Sequence, residues 1–173
     1  DRGAAVSEDP NRPEVDVRAP GDARFAIVWS RFNKAVVQKL LDGALKCFEE
    51  RGAPAESVYV VEVPGAWELP YAAKKLATSD RFDAVVALGA IIRGGTPHFD
   101  YVSEGTALGL GGVSLDAGIP VVFGVLTTDD HEQALARAGG DHGNKGYDAA
   151  LTAIEMTLFD RKLVHDGIST KRT

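Results

Sequence analysis

The run Ile91-Ile92-Arg93-Gly94-Gly95-Thr96-Pro97-His98 brings two glycines, a hydroxyl and an imidazole together at the end of an apolar stretch. The glycines free the backbone, and main-chain N–H groups at a turn that opens a helix bind phosphate. The spacing matches neither the dinucleotide fingerprint G-x-G-x-x-G nor a Walker loop, so an ordinary strand-to-helix turn accounts for it equally well. His98 carries the side chain best suited to moving protons at cellular pH, although a lone loop histidine is more often simply solvated. His131, in a charged helix start, and His142, in a polar glycine loop, have no partner at a metal-ligand spacing such as H-E-x-x-H. Both read as surface residues, as does His165 near the end of the chain.

Glu68 follows Pro64-Gly65-Ala66-Trp67, which places a carboxylate at the start of a helix. There it either faces the helix dipole or accepts hydrogen bonds from ligand hydroxyls. Trp67 and Phe32 offer flat walls for a heterocycle, but aromatic residues near strand ends more often belong to the core. Arg137 ends a short helical stretch and Lys145 lies in Gly143-Asn144-Lys145-Gly146. Cations in such places satisfy a helix end or face water more often than they bind anything, yet as a pair beside a glycine loop they could hold a phosphate.

The elements that must position these residues alternate. Arg24 to Trp29 is a compact apolar run of strand length; Lys34 to Arg51 then carries Val37, Leu40, Leu41, Ala44, Leu45 and Phe48 at helical spacing, with Gly52 as the stop. Ser57 to Val63 predicts a second strand and Glu68 to Thr78 a second helix. Asp83 to Gly89 and Pro120 to Leu126 predict two further strands, separated by a glycine-bearing loop and a helix from Phe99 to Ala117. Helices over Asp130 to Ala138 and Asn144 to Lys162 complete the reading. Strands this apolar are expected to be buried on both sides. The alternation predicts an α/β three-layer sandwich with a central four-stranded parallel sheet and helices on both faces. Ligands bind beyond the carboxyl ends of such strands, which directs attention to Phe32, to Ala66 through Glu68, to Gly94 through His98 and to Thr127-Thr128.

Residues 1–22, with Pro10, Pro13 and Pro20, read as an irregular arm in which the alternation Glu14-Val15-Asp16-Val17 could add an edge strand to a neighbour. Residues 23–163 form one domain in this reading, and 164–173 a frayed tail. A net charge of -6 leaves no general basic field for nucleic acid. Cys47 is the only cysteine, so no intrachain disulfide or Cys-rich metal site can form, and a reducing compartment fits. No apolar run reaches membrane-spanning length, and the first residues lack an apolar signal core, so a soluble cytoplasmic protein is expected.

Four segments together carry a resemblance: VPGAWELP (Val63 to Pro70), GAIIRGGTPHFDYV (Gly89 to Val102), GVLTTDDHEQALARAG (Gly124 to Gly139) and GNKG (Gly143 to Gly146). With Arg31-Phe32-Asn33 after the first strand, the chain resembles lumazine synthases from about Arg24 to Leu163. The resemblance implies a flavodoxin-like fold and the condensation of 5-amino-6-(D-ribitylamino)uracil with 3,4-dihydroxy-2-butanone 4-phosphate. The products would be 6,7-dimethyl-8-ribityllumazine, inorganic phosphate and water, with no cofactor and no metal. By position, Phe32 is similar to the aromatic that stacks on the pyrimidine. Ala66, Trp67 and Glu68 match the ribityl pocket, and Ala90, Ile91 and Ile92 the strand end at the pyrimidine edge. Gly95 and Thr96 match the phosphate loop, Arg137 its charged partner, and His98 the general acid/base. Phe123 and Lys145 match residues that reach the pocket from the next subunit.

A shared pocket cannot be complete in a monomer, and the resemblance implies a homo-pentamer. The absence of an insertion in Gly139-Gly140-Asp141-His142-Gly143 is compatible with a 60-subunit icosahedral shell. The chain departs from the family pattern at Ala66, where serine is common, at Trp67, where phenylalanine or tyrosine is common, and at Pro97, a variable position. Two other classes fit the fold alone: a non-catalytic flavin or lumazine binder, against which His98, Arg137 and Lys145 argue, and an electron carrier with bound flavin mononucleotide.

Overall fold

The computed structural model describes residues 15–168. The arm residues 1–14, including Pro10, Pro13 and Glu14, and the tail residues 169–173 lie outside the described residues. The sheet consists of β1 (Phe25–Ser30), β2 (Val58–Val63), β3 (Ala84–Ile92) and β4 (Val121–Thr128), in the order β2-β1-β3-β4 with every pairing parallel. Helices α1 (Lys34–Glu50), α2 (Leu69–Ala77), α3 (His98–Ala117), α4 (His131–Ala136) and α5 (Lys145–His165) provide the crossovers and flanks. The expected parallel three-layer α/β architecture is what the chain forms.

Strand parity makes the layers. Phe25 and Ile27 of β1 join Val86 and Leu88 of β3 on one face, where Val36, Leu40 and Phe48 of α1 and Ile154 of α5 cover them. Ala26, Val28, Val85 and Ala87 point the other way, onto Leu69 and Ala73 of α2 and Leu110 and Val113 of α3. Each fully buried Leu, Ile or Phe contributes about 1.5–3 kcal/mol, so the central strands are a rigid platform for whatever their carboxyl ends carry.

The expectation that all strands are buried on both sides holds for β1 and β3 and fails at the edges. Tyr59 of β2 is 51% exposed and Phe123 of β4 36% exposed. Continuous apolar character shows how much a strand can bury, while its place in the strand order decides what is there to bury it. Leu45, read as part of the buried face of α1, is likewise exposed.

Element ends differ from the sequence reading where pairing extends an element. β3 runs on to Ile92 and β4 to Thr128 because Ala90, Ile91 and Ile92 pair with Leu126, Thr127 and Thr128. Ala66–Glu68 form a 3-10 turn before α2. Helix α4 stops at Ala136, and a small antiparallel hairpin missing from the sequence reading follows: β5 (Ala138–Gly140) and β6 (Gly143–Asn144). Gly139 and Gly143 both take positive φ there, which gives the hairpin its tight return. Asn144 caps α5 by accepting from the N–H groups of Gly146 and Tyr147, and α5 continues through His165. Val15 and Val17 are not in a strand of this chain; Arg51 at the end of α1 donates to both of their carbonyl oxygens.

Candidate active site

Three strand ends open onto one cleft of about 670 Å³. After β1 come Phe32 and Asn33; after β2, Gly65, Ala66, Trp67 and Glu68; from the end of β3 into α3, Ala90, Ile91, Ile92, Gly94, Thr96 and His98. Phe99, Tyr101 and Val102 close the side formed by α3. Residues more than sixty positions apart are thus brought to one wall by the parallel topology, which aligns all carboxyl ends on the same edge.

Phe32 and Trp67 are both strongly exposed, so they are walls of the cleft and not core, which resolves the ambiguity left by the sequence. Glu68 precedes α2 without a side-chain cap hydrogen bond, so its carboxylate does not serve as a helix cap. His98 is the first residue of α3, exposed and facing the cleft, while His131, His142 and His165 are exposed elsewhere. Neither Gly94 nor Gly95 takes positive φ, and a Cβ at either would meet nothing within 4 Å. Their use is therefore open room beside the backbone. Gly95 itself is outside the cleft lining, next to Gly94 and Thr96, which belong to it.

Arg93 fixes that loop. Its Nε donates to Asp129 at 3.0 Å, its Nη1 lies 3.5 Å from Asp100, and its guanidinium sits 4.4 Å over the Phe99 ring. The Arg93 N–H also bonds the Thr128 carbonyl at 2.9 Å. Hydrogen bonding to Asp129 first, with the charge of Asp100 and Asp129, holds the guanidinium pKa above its ordinary value, so Arg93 is a permanent cation committed to acidic partners within the chain. Thr127 and Thr128, expected at the cleft, do not line it; the Thr128 hydroxyl donates to the Asp130 carbonyl and is buried. The end of β4 is a brace for the loop of Arg93.

Asn33 lines the cleft and was missed by the sequence reading. It occupies the left-handed region at φ 60 and donates from Nδ2 to the Ala90 carbonyl at 2.9 Å, tying the end of β1 to the end of β3. The signal available was an asparagine at a strand-to-helix turn, one of the few residue types that tolerates this conformation.

Phe123, Arg137 and Lys145 lie outside the cleft of their own chain. Phe123 stands on the exposed edge strand β4. Arg137 follows α4, with its Nη1 donating to the Gln133 carbonyl at 3.2 Å, and its own carbonyl accepts from the Lys145 N–H at 2.9 Å. The hairpin β5-β6 thus ties the backbones of these two residues together, and neither lines the cleft that holds His98. Among the described residues no group of three His, Cys, Asp or Glu gathers as a metal site, and no helix is long and apolar enough to cross a membrane.

Comparison with known proteins agrees with the motifs in this cleft. Residues 22–161 match the family model described as 6,7-dimethyl-8-ribityllumazine synthase. A protein of that name from Syntrophus aciditrophicus (strain SB) is 57% identical over 140 residues, which is 81% of this chain and 91% of the relative. A second protein of that name, from Clostridium kluyveri (strain ATCC 8527 / DSM 555 / NBRC 12016 / NCIMB 10680 / K1), is 54% identical over the same shares. With the matched span containing the whole cleft, its aromatic walls, its glycine loop and its single histidine, the chain belongs to the 6,7-dimethyl-8-ribityllumazine synthase family.

Proposed function

We propose that this protein condenses 5-amino-6-(D-ribitylamino)uracil with 3,4-dihydroxy-2-butanone 4-phosphate to 6,7-dimethyl-8-ribityllumazine, releasing phosphate and water. The observation that carries the reading is the convergence of Phe32, Ala66 to Glu68, Ala90 to Ile92, Thr96 and His98 on one cleft. Phe32 stacks on the pyrimidine, the backbone of Ala90 to Ile92 meets its polar edge, and Glu68 accepts from ribityl hydroxyls with a carboxylate that no helix cap occupies. Gly95 and Thr96 receive the phosphate where the two glycines leave open space.

Chemically, the 5-amino group adds to the ketone carbonyl and the adduct loses water to an imine. Elimination then breaks the C–O bond to phosphate, and the ribitylamino nitrogen closes the ring with loss of a second water. Each step moves a proton to or from nitrogen, oxygen or carbon, and His98 at the mouth of the phosphate loop relays it. A non-catalytic binder of the same fold would need none of these groups around a phosphate site.

Arg137 and Lys145 supply the positive charge for the phosphate, and Phe123 a further aromatic face, from the adjacent subunit of a homo-pentamer. Their position outside the cleft of their own chain supports this. So does the face of α3 on which Tyr101, Leu108 and Leu115 are 73%, 69% and 85% exposed at seven-residue intervals, since apolar groups in such a row mark an interaction surface. Residues 23–163 act as the catalytic domain. A 60-subunit shell and a cytoplasmic setting complete the proposal.

The test follows lumazine absorbance after the two substrates are mixed with purified protein, with spontaneous condensation subtracted. Formation well above that background supports the synthase. A folded pentamer that binds lumazine yet gives only the background rate sinks it.

A further inference from the structure

We propose that Gly105, backed by Thr106, is a positioning residue that sets the plane of the Trp67 ring and with it the width of the ribityl side of the cleft. The proposal rests on the synthase reading for its substrate and on geometry for its residues. Trp67 is 60% exposed, and a side chain so open to solvent ordinarily moves among rotamers. Here its six-membered ring lies against the bare backbone of α3. A Cβ placed on Gly105 would come within 2.3 Å of Cζ3, 3.0 Å of Cη2 and 3.2 Å of Cε3 of the indole.

One turn along α3, Gly109 makes the same close approach to Pro70, where an added Cβ would lie 2.7 Å and 2.9 Å from ring carbons. Between them Thr106, fully buried, donates from its hydroxyl to the Ala66 carbonyl at 3.3 Å. One face of α3 is therefore stripped of side chains at two positions and armed with a hydroxyl between them, and residues 66 to 70 are seated on it. Glycine is a poor helix former in mid-helix, so alanine would be preferred at both positions if nothing lay against them.

Because α3 blocks one side, a methyl at Gly105 displaces the indole toward the open cleft, where the ribityl chain is held. Phenylalanine at position 67 lacks the outer ring atoms that come closest to Gly105. Glycine at 105 is thus what permits tryptophan at 67, and the pair determines specificity together.

A double-mutant cycle of Gly105→Ala and Trp67→Phe tests this, read by melting temperature, tryptophan emission and steady-state kinetics. In the Trp67→Phe background Gly105→Ala is expected to raise the melting temperature, as alanine does in a helix with free space. In the wild-type background it should not, and it should shift tryptophan emission to the red. It should also raise KM for the ribitylaminouracil by about fivefold, with KM for the butanone phosphate unaffected, as an overpacked wall would. The Trp67→Phe change should restore most of that KM. Equal stabilisation in both backgrounds, with emission and KM unmoved, overturns the proposal. Should the wild-type protein show no turnover, the synthase reading fails, and the melting and emission cycle still decides whether Gly105 holds the ring.

Discussion

His98 and Glu68 owe their availability to what they do not do. Neither is tied into a cap: Glu68 precedes α2 without a side-chain hydrogen bond to it, and α3 begins at His98 with no side-chain cap at Pro97 before it. His98→Ala is expected to lower lumazine formation by about 100-fold, the scale of a lost general acid/base, with KM little changed; initial rates from the absorbance assay measure it. Glu68→Gln keeps the shape of the side chain and removes its charge. Charge-assisted hydrogen bonds are worth about 1.5–3 kcal/mol, so KM for the ribitylaminouracil should rise about tenfold or more while KM for the phosphate substrate stays put. Both residues were legible as candidates for this chemistry in their types and neighbours, which left a solvated imidazole and a dipole-facing carboxylate open. Asn33 was not, because its contribution is a bond to the Ala90 carbonyl, fifty-seven residues on, and no local pattern announces a partner at that separation.

At the scale of elements, the position of Lys145, proposed with Arg137 to bind the phosphate, is set by how closely α5 meets α1. A Cβ on Gly146 would lie 1.9 Å from the Leu40 carbonyl oxygen, and one on Gly43 2.3 Å from the Asn144 amide. The Leu40 contact is with backbone, which cannot swing aside, so Gly146→Ala should destabilise the chain by roughly 3 kcal/mol, read as a lower urea midpoint. Its effect on function should appear as a raised KM for the butanone phosphate, since Lys145 and Arg137 ride on that junction. The same helix pair is joined by Tyr147, whose hydroxyl donates to Glu50 at 2.8 Å. Burial, reinforced by Glu50 and opposed by Arg51, pushes the phenol above its ordinary value of 10.0. The folded chain then holds this proton more tightly than the unfolded chain. The contribution is complete below pH 10 and is lost as pH rises through the raised value. Urea midpoints between pH 8 and 11 should fall on the alkaline side, and Tyr147→Phe should flatten that fall.

For the whole molecule, the exposed Tyr101, Leu108 and Leu115 of α3 and the place of Arg137 and Lys145 outside the cleft lining are the features on which the proposed homo-pentamer is tested. Leu108→Asp with Leu115→Asp should shift the sedimentation profile from pentamer to monomer and abolish activity while leaving the circular dichroism of the fold. A complementation experiment addresses the shared site directly. His98→Ala and Arg137→Ala subunits, each inactive alone, should regain about a quarter of wild-type activity when co-assembled in equal amounts, because one site in four then draws both intact residues from adjacent subunits. No recovery would place His98 and Arg137 in the same subunit's site.

The alternation of apolar strands and amphipathic helices determined by itself the parallel three-layer fold, since strands of this composition need helices to cover them. The motifs determined the family and the chemical types at the cleft. Only the tertiary structure decided which strands are edges, leaving Tyr59 and Phe123 exposed, because strand order depends on pairings between distant segments. It also decided that Thr128 braces Arg93 instead of lining the cleft, that Asn33 ties two strand ends together, and that Gly105 lies beneath Trp67. The separation has a physical basis: periodicity and residue type record what a segment can bury or bond, and the partner is supplied by the rest of the chain once it has folded.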